Sequence, residues 1–180
     1  MSAQKEEGTS TIVEELAKVA ALKYNKSILL LDADLRKLDQ QLFFNITIEH
    51  SLEETIRAGS PVDKAFYQIR NSSLFLGRLF KDTGPIRQFL DTSAIDDLLE
   101  KLKTRFDFIF IDSPPENVFS IGLATSTSVN GVILVLDAEK TCMDAAKSIT
   151  DKITNNGGKV LGVVLNKNRK YIPEFINKRL

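Results

Sequence analysis

The chain has one cysteine, one histidine, no tryptophan and no excess charge of either sign. A single Cys142 excludes an internal disulfide and a cysteine-based zinc site, and a single His50 excludes a histidine triad or a His-rich metal centre. The 24 basic residues are balanced by 24 acidic ones, so no general attraction to nucleic acid or anionic lipid is expected. No apolar run approaches the ~18 residues of a membrane span, and the N-terminus lacks a signal-peptide pattern. A cytoplasmic location and no membrane span of its own follow as expectations. What the chain does have is an ordinary globular composition, 43% hydrophobic and 27% charged over 180 residues. That length suits one domain, 1–180.

Five short apolar runs read as strands: Ile28–Leu31, Leu74–Leu76, Phe106–Ile111, Val132–Leu136 and Val160–Leu165. Helical periodicity separates them. Val13, Leu16, Ala17, Ala20 and Ala21 make one apolar face, Ile95, Leu98, Leu99 and Leu102 a second, and Cys142, Ala146, Ile149 and Ile153 a third. Strands alternating with helices predict an α/β fold, a mostly parallel sheet with helices on both faces. Right-handed crossovers then carry every strand's C-terminal end to one edge, where such folds bind ligands. Asp32 and Asp34, Asp112, Asp137 and Asn166 would meet there, because each directly follows its strand.

Smaller signals fill in the rest. Ser51 with Glu54 predicts a capped short helix carrying Leu52 and Ile56, ended by Gly59, Ser60 and Pro61. Residues 81–92 read as a surface loop, and Asn155–Gly158 as a helix-ending turn. The tail carries Ile172, Phe175, Ile176 and Leu180 on one face and basic residues on the other. Cys142 is expected to be a small core residue rather than an activated thiol.

Gly8, Thr9, Ser10 and Thr11 stand just ahead of the first helical face, where free backbone N–H groups and the helix dipole favour an anion. A phosphate-binding loop wants a glycine-rich turn, then lysine, then Ser or Thr. Here only Gly8 and Ser10 fit, with Thr9 in the lysine place and Ala3 in the first glycine place. A plain helix cap by Ser10 or Thr11 explains the same residues nearly as well.

Taken together, the motifs resemble the bacterial tyrosine kinases (BY-kinases) of capsule and exopolysaccharide synthesis. The segment SILLLDADLRK is similar to their second Walker-type motif, and FDFIFIDSPP to their Walker B motif. VNGVILVLDAEKT and GGKVLGVVLNK resemble the strands that follow. The resemblance spans nearly the whole chain and implies the P-loop NTPase fold of the deviant Walker type, shared with MinD and ParA. It implies ATP and magnesium as cofactors, with Gly8, Thr9, Ser10 and Thr11 along the phosphates and Ser10 toward the metal. It further implies that Asp32 and Asp34 position the attacking group, that Asp32 and Asp112 hold magnesium, that Arg36 completes the motif, and that Asn166 faces the adenine. The implied partner is a membrane polysaccharide co-polymerase (chain-length protein), with a homo-oligomer of the family's kind as a second association to which Phe43 and Phe44 would contribute.

The departures from that family fall on the chemistry. A glycine is replaced by Glu6, the loop lysine by Thr9, and the acid after the Walker B strand by Ile121. Only Met1 and Ser2 precede the loop, so the first P-loop strand is expected to be missing from this chain, and no tyrosine cluster accompanies Tyr171. Three functions stay open at this point. One is a catalytically weakened BY-kinase-like domain working as a regulatory partner. Another is an active protein-tyrosine kinase or ATPase with an unusual loop. The last is a receiver-like phosphoacceptor domain in which Asp32, Asp34, Asp112 and Lys167 mimic the acid cluster and its lysine.

Overall fold

A computed structural model describes residues 1–34, 44–80, 92–115 and 121–168, the side chains of 92–94 excepted. The segment 81–91, Arg36, Phe43 and the tail from 169 lie outside the described residues.

The order of elements is helix α1 (Thr9–Lys23), strand β1 (Ile28–Asp32), helix α2 (Leu52–Arg57), a 3-10 turn (Val62–Ala65), and strands β2 (Phe66–Gln68) and β3 (Leu74–Arg78). Then come α3 (Thr92–Lys103), β4 (Phe108–Asp112), α4 (Ile121–Thr125), β5 (Val132–Asp137), α5 (Met143–Asn155) and β6 (Val160–Asn166). The expected α/β class holds, with strands and helices alternating along most of the chain.

All five residues of β1 are buried, because the strand has a neighbour on each side and a layer on each face. β1 pairs in parallel with β3 and with β4, and Leu30 lies between Leu76 and Phe110. Its side chains alternate between two cores. Leu29 and Leu31 pack with Leu98, Leu102 and Phe106, whereas Ile28 and Leu30 pack with Ala17 and Ala21 of α1. The alanines let α1 lie close to the sheet, and the Leu98–Leu102 face covers the opposite side. Phe44 packs against the second of these cores.

A third core joins Met1, Val132 and Leu134 to Ile149 and Ile153 of α5. β5 and β6 form their own parallel pair. Sequence periodicity implied one sheet; among the described residues there are two, ordered β2-β3-β1-β4 and β5-β6. Among the described residues Met1 and Ser2 lie along β5 at this break, Ser2 bridging in parallel to Val135.

Other differences have local causes. β2 was not anticipated, being three residues long and antiparallel to β3; so short a run carries almost no periodicity. The first helix starts at Thr9, and its N-cap is Gly8 in the left-handed region (φ 89°) with no side-chain cap, so Ser10 and Thr11 are helical residues rather than caps. Cys142 is the N-cap of α5 and is exposed, not a core residue. The Ser51–Glu54 capping box is present as expected, as is the turn after α5, where Gly157 takes φ 88°.

Candidate nucleotide site

The parallel registers align the strand ends in two pairs. Asp32 is the register partner of Asp112, and Asp137 that of Asn166. Asp32 and Asp112 are 4% and 3% exposed. One oxygen of Asp32 accepts from the Asp34 N–H at 2.9 Å. The other, Oδ2, is buried and has no hydrogen-bond partner. Burial raises the Asp32 pKa to about 8; the Asp34 N–H opposes this, and the neighbouring Asp112 adds to it.

Two adjoining acids with an orphaned oxygen fit a small, hard divalent cation. Magnesium is commonly held by one or two carboxylates while phosphates and water complete its shell. Among the described residues no group of three or more acidic, His or Cys side chains that could hold a metal ion exists.

The loop from Gln4 to Gly8 leads into α1. Glu6 takes φ 64° and Gly8 φ 89°, so the backbone keeps a glycine-like shape even where the residue is glutamate. The opening N–H groups of α1 have no partner within the helix, while the Ile12 N–H closes its first turn on the Gly8 carbonyl at 3.0 Å. Gly8 cannot grow a side chain: a Cβ there would lie 2.2 Å from Asn166 Nδ2. Thr9, at the position of the missing lysine, has a buried hydroxyl without a hydrogen-bond partner.

The loop is fastened from the β5–β6 side. Asn166 Nδ2 donates to the Glu7 carbonyl at 2.9 Å. The buried Glu7 carboxylate accepts from the Gln4 N–H at 2.8 Å, the Asp137 N–H at 3.3 Å and the Thr141 hydroxyl. Lys167 donates to the Glu6 carbonyl and lies 3.5 Å from the Asp137 carboxylate. Sequence reasoning missed Glu7, Thr141 and this use of Lys167. Glu7 reads as one more charge in a polar run, and only the fold shows it buried.

The structure therefore brings Asp32, Asp34 and Asp112 together at one rim. Gly8 lies against Asn166, whose amide holds the loop from outside. Ile121 is 1% exposed and belongs to the core, so no acid stands at that position.

No family model matches the chain. CapB of Staphylococcus aureus is 29% identical over 139 residues, 77% of this chain and 61% of CapB. The tyrosine-protein kinase ptk of Acinetobacter johnsonii is 26% identical over 161 residues, 89% of this chain and 22% of ptk. The chain thus spans under two thirds of either relative. Among solved structures, the VpsO kinase domain superposes with a TM-score of 0.83 at 28% identity, covering 94% of this chain and 83% of that domain. MinD of Pyrococcus horikoshii, solved with Mg-ADP, superposes at 0.73 over 99% of this chain and 77% of its own, at 18% identity, a likeness of fold alone. In sequence and fold together this chain is similar to the kinase domains of bacterial tyrosine kinases, on an α/β fold shared with MinD-like P-loop proteins.

Proposed function

We propose that the chain is a BY-kinase-like domain that binds a magnesium nucleotide and turns it over weakly or not at all. The observation that carries this reading is the contrast at the site. Asp32 and Asp112 adjoin, with Asp32 Oδ2 unsatisfied, while the lysine position holds only a hydroxyl. Phosphoryl transfer relies on positioning and on positive charge at the developing anionic oxygens. Losing one well-placed donor costs about 3 kcal/mol, and Glu6 adds a negative charge to the loop.

In this reading magnesium, when bound, would supply the positive charge that draws phosphate oxygens to the rim. Asp32 and Asp112 would hold it together with Ser10. The N–H groups of Thr9, Ser10 and Thr11 would take phosphate oxygens, Asp34 would orient the attacking group, and Asn166 would keep the loop in shape beside the base. Arg36 retains the role that the family motif implies. Such a domain would act by its nucleotide state on a membrane polysaccharide co-polymerase, from the inner face of the membrane. No helix among the described residues is long and apolar enough to cross a membrane, which suits attachment through a partner.

Isothermal titration with Mg-ADP and Mg-ATP tests the proposal, with Thr9→Lys beside the unmodified protein. Magnesium-dependent binding, hydrolysis at the blank rate and tighter binding by Thr9→Lys are expected. Brisk hydrolysis that disappears in Asp32→Ala and Asp112→Ala would establish the active-enzyme alternative instead. The receiver-like alternative gains nothing from the structure, since Lys167 is engaged by Glu6 and Asp137.

A further inference from the structure

The acid rim ends in an arginine. In the four-stranded sheet β1 lies between β3 and β4. Its last residue, Asp32, is the register partner of Arg78 on one side and of Asp112 on the other. Side chains alternate along a strand. Ile28, Leu30, Leu74 and Leu76 share the core under α1, with Phe110 packed against it, whereas Ala33 and Leu79 belong to the opposite core. Arg78, Asp32 and Asp112 therefore project in a row from the α1 face. At about 4.8 Å between strands, the row spans roughly 10 Å.

The first turn of α1 comes to the same edge. Towards the other end of that helix the Ala21 carbonyl accepts from the Ser73 hydroxyl, just ahead of β3, at 3.3 Å, so α1 runs antiparallel to the strands. From Ala21 back to Thr9 it rises roughly 18 Å, against about 13 Å from Leu74 to Arg78. Its free N–H groups thus reach the level of the strand ends. Arg78 is within electrostatic range of the acids, since its charge works against the rise in the Asp32 pKa while that of Asp112 adds to it. Beside it, Asp32 Oδ2 is buried and unsatisfied. A guanidinium presents parallel N–H donors in a fork that matches a phosphate.

We propose that Arg78 binds the terminal phosphate of a nucleoside triphosphate and so sets a preference for triphosphate over diphosphate, a role that rests on the rim being a magnesium-nucleotide site. The direction follows from the order of the strands. The loop is fastened to Asn166 and Asp137 at the ends of β6 and β5, and β5 lies on the β4 side of the sheet. With the base at that end, the phosphates meet Asp112 first, Asp32 next and Arg78 last. Thr9 brings only a hydroxyl to the loop, so Arg78 supplies its positive charge from the far end of the row.

Isothermal titration of the full chain with Mg-ADP and with the magnesium complex of β,γ-imido-ATP, which resists hydrolysis, tests this. The unmodified chain should bind the triphosphate about tenfold tighter or more. Arg78→Gln should erase that preference by weakening the triphosphate alone, and Arg78→Lys should keep part of it. Urea melts check that each variant folds, and the lysine variant carries the comparison if the glutamine variant does not fold. Magnesium tripolyphosphate against magnesium pyrophosphate, read as shifts in melting temperature, repeats the comparison without a base. Equal affinity of the unmodified chain for the two nucleotides, or equal losses for both in Arg78→Gln, would overturn the proposal and leave nucleotide binding standing. An Arg78-dependent preference for tripolyphosphate with no binding of either nucleotide would overturn the nucleotide reading and keep the Arg78 contact for a bare polyphosphate. No binding of any of the four ligands would overturn both.

Discussion

The acid rim and the Gln4–Gly8 loop are built in different ways. At the rim Asp32 and Asp112 are register partners, buried, and one Asp32 carboxylate oxygen has nothing to bond. The loop is defined by its backbone shape. Glu6 and Gly8 keep left-handed backbone angles, and Asn166, Glu7 and Lys167 hold the loop to β5 and β6. Shape here comes from backbone angles and hydrogen bonds to the main chain, so the turn does not require a lysine at position 9. The lesson is that the geometry of this loop and its charge are separable properties.

The largest test of that contrast is at the rim. With the Asp32 pKa raised to about 8, the folded chain keeps a proton that the unfolded chain releases near pH 4. Stability from this group should therefore be intact below about pH 4, fall as pH rises toward 8, and level off above it. Asp32→Asn should flatten the profile and raise stability at pH 8, on the order of 2–4 kcal/mol, in urea melts without divalent cations. Magnesium should raise the melting temperature of the unmodified chain at that pH and leave Asp32→Asn unmoved. A flat pH profile for the parent would mean that the rim is hydrated and not poised for a cation.

At the loop, Glu7→Gln should cost about 2 kcal/mol by loosening a buried acceptor of two N–H groups and a hydroxyl. Hydrogen exchange at Gln4 and Asp137 should speed up with it, while Asp32 keeps its titration. Gly8→Ala should cost a further, similar amount, roughly 1–2 kcal/mol, from the left-handed backbone and displacement of the Asn166 amide. The smallest effect runs the other way. Glu6→Gly should gain about 1 kcal/mol by relieving its positive φ, and a calorimetric titration should show tighter ADP binding. If Glu6→Gly destabilises, the loop's shape depends on that side chain and the separation of shape from charge fails.

Much of the rim was legible in the chain. Asp32 and Asp112 could be placed at one sheet edge because each ends a continuously apolar run, and crossover handedness aligns parallel strand ends; that their strands are neighbours came from the fold. Ser51 and Glu54 announced their helix because a capping box is a local hydrogen-bond pattern. What stayed hidden depended on distant contacts. Glu7 is bonded to residues 130 and 134 positions away, and nothing in its neighbours indicates burial. Leu16 belongs to a regular apolar face yet is 41% exposed, because it lies where β4 and β5 part.

The sequence by itself determined the alternation of strands and helices, the acids at the strand ends and a hydroxyl rather than an ammonium at position 9, since these depend on residue type and short-range periodicity. Tertiary structure decided which charges are buried and unpaired, which residue closes the helix, and that the sheet parts between β4 and β5. Those outcomes depend on which strand edges find partners and which polar atoms meet across the fold, and no local pattern of residues records that.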